Sequence, residues 1–184
     1  MRRLFERGAA VVGIAAMLSA CSMFTPPESR LMFGMLPTNE LGYEVSASGE
    51  ITIETRQFQF TNPAGKPVAY VTGYRAEFRN NAGGLVGQTS SEPQSLNVTV
   101  PAGFQCDSPD PVLGCSAMSP GARPAPSTPA ISAALSSQLF NADIAEAHIS
   151  AGFPTGWYAD ITFFGHSALG AFEETYRVNI VAPN

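Results

Sequence analysis

From residue 41 to residue 100 apolar and polar positions alternate with a period of two, the spacing of strands that bury one face. Tyr43-Glu44-Val45-Ser46 opens the pattern as a short strand. Residues 51–60 (ITIETRQFQF) form a second, whose apolar phase shifts along its length. Ile51 and Ile53 share one face and Phe58 and Phe60 the other, so a bulge near residues 55–57 is expected. Asn62-Pro63-Ala64-Gly65 reads as a turn. The cleanest alternation follows: Val68, Tyr70, Thr72, Tyr74, Ala76 and Phe78 on one side, Ala69, Val71, Gly73, Arg75 and Glu77 on the other. This pattern assigns Tyr70, Tyr74 and Phe78 to the core. Asn80-Asn81-Ala82-Gly83-Gly84 turns the chain. Residues 85–88 suit a short edge strand, and Leu96, Val98 and Val100 mark another.

The period lapses between residues 101 and 155, where Pro, Ser and Ala accumulate (for example Pro120-Gly121-Ala122-Arg123-Pro124-Ala125-Pro126). Thr128 and Pro129 suit a helix start, and Ile131, Leu135 and Leu139 follow at helical spacing, which predicts a short helix over 130–140. An insertion this long within a compact domain is often functional, so a binding role is sought here first. Alternation returns with Trp157, Ala159, Ile161 and Phe163 against Tyr158, Asp160, Thr162 and Phe164. Residues 165–170 turn, and Phe172, Glu174, Tyr176, Val178 and Ile180 close the chain with period two. The expected fold is all-β, an antiparallel sandwich of about seven strands with a long insertion before the last hairpin.

Two stretches carry family resemblances. Ala159-Asp160-Ile161-Thr162-Phe163-Phe164-Gly165, a Gly-containing turn and Thr175-Tyr176-Arg177-Val178-Asn179-Ile180 resemble the last hairpin of bacterial immunoglobulin-like or fibronectin type III-like modules. That likeness covers roughly 25 residues and implies an immunoglobulin-like β-sandwich. The Cys–Trp–Cys signature of antibody domains is missing, and residues 101–155 replace what those modules connect briefly.

The other stretch is the start of the chain. Arg2, Arg3 and Arg7 precede an apolar run over residues 9–18, which ends in Leu18-Ser19-Ala20-Cys21. The run is shorter than the roughly 20 apolar residues of a spanning helix. The pattern resembles the bacterial lipoprotein signal with its lipobox. The resemblance implies cleavage before Cys21, diacylglyceryl attachment to its sulfur, and acylation (palmitate) of the new amino end. Several acyl chains hold a domain on a membrane stably where one does not. By the same likeness, Ser22 permits sorting to the outer membrane of a cell that has one. Arg2-Arg3-Leu4-Phe5 partly resembles a twin-arginine signal, from which Glu6 departs; a plain basic start is the simpler reading. The domains are then a signal peptide over 1–20, a lipidated tether over 21–40 and a β-sandwich over 41–184. Within the tether, the apolar residues 31–36 either dock as a first edge strand, the simpler outcome, or meet a partner.

Charge and cysteines narrow the function. Of the 10 Lys and Arg and 15 Asp and Glu, the leader holds Arg2, Arg3, Arg7 and Glu6, so the remainder has seven basic and fourteen acidic side chains and a net charge of −7. That balance argues against nucleic acid and against a basic membrane-binding patch. With Cys21 lipidated, Cys106 and Cys115 remain, with eight residues between them, and in an exported chain they are expected to form a disulfide. A loop of that size gains about 2.5–3 kcal/mol in the chain-entropy view. The rival is a metal pair with His148 or His166, which the spacing does not favour.

The candidate chemistry is sparse. Gly165-His166-Ser167-Ala168-Leu169-Gly170 resembles a nucleophile elbow, but Leu169 occupies the second glycine's place and a strand follows where a helix is required. His148 and His166, with Asp143, Glu146, Asp107 and Asp110 as helpers, read as solvated surface groups. Asp107 and Asp110 lack the register of a calcium loop. Glu173 and Glu174 point to opposite faces of a strand and cannot pair. Phe153, Trp157 and Phe164 are candidates for an exposed aromatic binding platform, with packing under the insertion as the alternative. The expectation is a lipid-anchored, non-enzymatic envelope protein without a cofactor or metal, attached to the membrane and binding an envelope protein or polymer. The alternative is an envelope hydrolase or metalloenzyme that uses residues 101–155; a plain spacer is the third option.

Overall fold

The computed structural model describes residues 31–87, 93–125, 130–133, 135–137 and 139–183. The expected leader, Cys21 and the expected helix start at Thr128 and Pro129 lie outside the described residues. Two sheets pack face to face in an all-β, sandwich-like fold. The larger sheet has the order β2 (Glu40–Leu41), β14 (Gly170–Ile180), β13 (Tyr158–Ser167), β6 (Ala69–Arg79), β7 (Gln94–Val100). The smaller has β1 (Met32–Leu36) beside β5 (Arg56–Asn62), whose other edge pairs with β11 (Ala130–Ile131) and β12 (Leu135–Ser137). A side sheet of β8 (Ala102–Gln105), β9 (Gly114–Cys115) and β10 (Arg123–Pro124) and a hairpin of β3 (Tyr43–Val45) and β4 (Ile51–Ile53) complete the strands. Most pairs are antiparallel, but β14–β2 and β8–β9 are parallel.

Aromatic side chains fill the space between the sheets. Phe163 of β13 lies 4.6 Å from the Phe33 ring and 4.9 Å from the Phe60 ring, with Phe58, Tyr74 and Tyr176 around it. Edge-on and tilted geometries dominate, as ring quadrupoles favour. Residues 31–36 dock as an edge strand: β1 pairs with β5 from Met32↔Thr61 to Leu36↔Gln57. The folded unit therefore includes residues that the sequence reading left in the tether. Leu31 N–H donates to Glu174 Oε1 at 3.2 Å and Met35 N–H to Asn39 Oδ1 at 2.6 Å, so side chains cap backbone donors of this edge.

Four expectations change. First, the described residues of 130–140 form no helix. Ile131 and Leu135 lie in β11 and β12, because the free edge of β5 offers ladder bonds that outweigh a helical spacing of three apolar residues. Between these strands, Ser132 N–H donates to Phe60 O and Ser132 Oγ accepts from Phe60 N–H, each at 2.9 Å, stitching the ladder across an irregular step. Second, a helix forms later, α1 (Ala142–Ser150), capped by Asn141, whose Oδ1 accepts from Ile144 N–H at 3.0 Å. Third, the shift within residues 51–60 is a break between β4 and β5, which join different sheets. Fourth, β6 does not keep one face inward. Val71 and Ala69 are buried while Tyr70 is exposed, yet Tyr74, Ala76 and Phe78 face the core. The register of β6 slips against β13 at Phe164/Gly165 and against β7 at Val71/Gly73. A Cβ on Gly165 would come within 2.3 Å of the Tyr70 carbonyl oxygen and the Phe172 ring, so only glycine fits this slip. Leu85 makes a single bridge with Arg79, and residues 88–92 lie outside the described part.

Candidate functional site

Residues 101–125 of the insertion are built around one short loop. Cys106 and Cys115 form a disulfide with their Cα atoms 5.6 Å apart. Inside it, Asp110 Oδ1 accepts from Val112 N–H at 2.8 Å and from Leu113 N–H at 2.7 Å. These two donors hold the Asp110 carboxyl below its ordinary range. Asp110 and Gly114 exchange backbone bonds across the turn at 3.0 and 2.9 Å. The result is a stapled hairpin with Val112 72% exposed at its tip. Its base is anchored by Gly103, whose N–H donates to Lys66 O at 2.8 Å. A Cβ there would sit 2.2 Å from the Pro63 carbonyl oxygen, so the close backbone approach requires glycine.

The histidines separate. His148, in the last turn of α1, is 1% exposed, which corrects its reading as a surface group. Its Nε2–H donates to Pro154 O at 2.9 Å, which leaves Nδ1 to accept from the Tyr43 hydroxyl at 2.8 Å. Both ring nitrogens are satisfied, which is why the ring tolerates burial. Burial also raises the Tyr43 hydroxyl pKa. His166 lies on β13 and stacks on exposed Tyr70, with ring centroids 5.1 Å apart. Ser167 Oγ accepts from Leu169 N–H at 3.1 Å within the β13–β14 hairpin, a strand–turn–strand setting that is not an elbow. Among the described residues no three His, Cys, Asp or Glu side chains gather to hold a metal ion.

The three aromatic candidates do not form one platform. Trp157 is buried against His148, 5.0 Å between rings, so packing is its role in this structure. Phe153 is 43% exposed and held at φ 57, past the end of α1, with its N–H on His148 O. Phe164 lies seven residues along from Trp157, with the Arg75 guanidinium 5.6 Å from its ring. Seven residues of strand span about 23 Å.

The outer faces of the two sheets differ in kind. On the larger sheet, Arg177, Asp160, Arg79, Glu77, Arg75 and Glu173 form a continuous chain of alternating ion pairs. The Arg177–Asp160 pair has two nitrogen–oxygen contacts, at 2.9 and 3.3 Å, and Arg177 also covers the Tyr158 ring at 3.9 Å. Glu173 belongs to this face, whereas Glu174 is half-buried and receives the Tyr176 hydroxyl at 2.6 Å. The smaller sheet's outer face has Met32, Thr61 and Ile131 in one row and Leu36 beside Gln57 in another, with no charged side chain in either. Sequence reasoning missed both patterns, since each arises only when strands distant in the chain are set side by side.

No helix among the described residues is long and apolar enough to cross a membrane. No protein-family model matches this sequence, and no curated protein matches it.

Proposed function

We propose that the protein is a lipid-anchored, non-enzymatic component of a bacterial cell envelope that presents a β-sandwich to a protein or polymer partner. Leu18-Ser19-Ala20-Cys21, behind a basic start and a short apolar run, carries the anchoring half of this reading. A disulfide between the two cysteines beyond Cys21 is in keeping with an oxidising compartment. The binding half rests on the stapled hairpin. Its backbone is fixed by the disulfide and by Asp110, so little ordering entropy would be lost on docking, and Val112 at the tip is open to solvent. The acidic balance of the chain disfavours nucleic acid as the partner.

Mass spectrometry of the protein from membranes tests the anchor: the expected amino end is acylated Cys21, and Cys21→Ala should release the chain from the membrane fraction. Cross-linking in intact cells tests the binding half. Val112→Asp should remove a specific cross-linked neighbour while leaving the fold intact; an unchanged set of neighbours would exclude the hairpin as the binding element.

A further inference from the structure

The uncharged outer face of the smaller sheet stands where the chain enters the fold. Met32 is the first residue of β1, and Leu31 is fixed beside it by Glu174. Met32 and Ile131 flank Thr61 in the row nearest that entry, 51% and 52% exposed. Leu36, also exposed, continues the face along β1. Eleven residue steps separate Cys21 from Met32, a reach of at most about 40 Å in any conformation. An anchor at Cys21 therefore keeps the point where the chain enters this face within about 40 Å of the bilayer.

Electrostatics selects between the faces. The larger sheet presents Glu77, Asp160 and Glu173 outward, paired with Arg75, Arg79 and Arg177. The three guanidiniums and three carboxylates cancel in net charge, and ion-paired side chains lose solvation on contact with a membrane. The smaller sheet carries no such desolvation cost, and its methionine, leucine and isoleucine gain by leaving water. We infer that the outer face of the smaller sheet rests on the bilayer that holds the Cys21 acyl chains, with Met32 and Ile131 against the headgroups. This orientation rests on the lipid-anchor reading and turns the ion-paired face outward.

Site-specific fluorescence in vesicles tests it. The acylated full chain is reconstituted into phosphatidylcholine–phosphatidylglycerol vesicles with a single added cysteine, at Gln57 on the smaller sheet or Asn179 on the larger. Cys106 and Cys115 are bridged and Cys21 is a thioether, so a thiol-reactive fluorophore labels only the added position. Headgroup spin-labelled lipid should quench the Gln57→Cys probe several-fold more than the Asn179→Cys probe. Met32→Asp with Ile131→Asp should bring that ratio near one while the chain stays on the vesicles. Equal quenching, stronger quenching at Asn179, or a Gln57 probe shielded alike with and without vesicles, as when another segment of the chain covers the face, overturns the orientation and leaves the anchor standing. An unmodified Cys21 in the mass of the same sample overturns both.

Discussion

The two sheets share an aromatic interior but differ in how they are assembled. β6, β13 and β14 are long strands, ten or eleven residues each, and β13 and β14 are joined by a tight hairpin. The smaller sheet collects β1, β5, β11 and β12 from three distant parts of the chain, none longer than seven residues. The larger sheet thus joins two pairs of consecutive strands, β6–β7 and β13–β14, through the long-range β6–β13 ladder, whereas the smaller, among the described residues, has no hairpin and closes onto one strand, β5. Their outer faces follow the same division: a ladder of paired charges on one, neutral side chains on the other. A long strand brings its own alternation of inward and outward residues, whereas a patchwork sheet depends on a few stitches.

The interior common to both should give the largest effect. Phe163→Ala removes the ring on which Phe33, Phe58 and Phe60 converge, and a loss of about 3–5 kcal/mol in denaturant unfolding is expected. Phe164→Ala, one residue away on the outer face, should cost less than about 1 kcal/mol. Next is the insertion that supplies the smaller sheet's far edge. Replacing Cys106 and Cys115 together by Ser should cost about 2.5–3 kcal/mol if the bridge acts by restricting the unfolded chain. Ser132→Ala then isolates the stitch: Phe60 N–H loses its side-chain acceptor in the interior, at a cost of about 1–3 kcal/mol. Amide exchange should rise in β11 and β12 and leave β13 unaffected. On the charged face, Asp160→Asn should cost at most about 1 kcal/mol, and less in high salt. A larger loss there would mean that the ladder holds its sheet together.

The smallest effect is a titration. The Asp110 carboxyl has a lower pKa in the folded chain than in the unfolded one. Its contribution is therefore complete above the unfolded value and fades as pH falls through the folded one. Amide resonances of Val112 and Leu113 should move with a midpoint below the ordinary carboxylate range, and Asp110→Asn should abolish that movement.

The same division explains what was legible in the sequence. Alternation over residues 157–164 and 172–180 matches β13 and β14 because a strand with neighbours on both sides and one buried face must show it. Tyr70 was misplaced because a register slip at Gly165 leaves no mark on the pattern of β6 itself. β11 is too short to have a period, and its Ile131 matched a helical spacing by coincidence. The helix start at Asn141, with Asp143 in the first turn, was present in the sequence but obscured by the small residues around it. His148 was taken for a surface group because its two partners, Tyr43 and Pro154, lie 105 and 6 residues away, and only the folded chain brings both to the ring. Of the candidate site, the disulfide pairing was readable from cysteine number and the expectation of export; the stapled tip and the two outer faces were not, since they depend on which strands become neighbours.

The chain contains one tryptophan, and it lies at the corner where α1 meets Tyr43 and the imidazole. Its indole is thus a native optical reporter for that corner alone. Emission should shift to the red when the corner opens, even while the phenylalanine layer between the sheets stays closed.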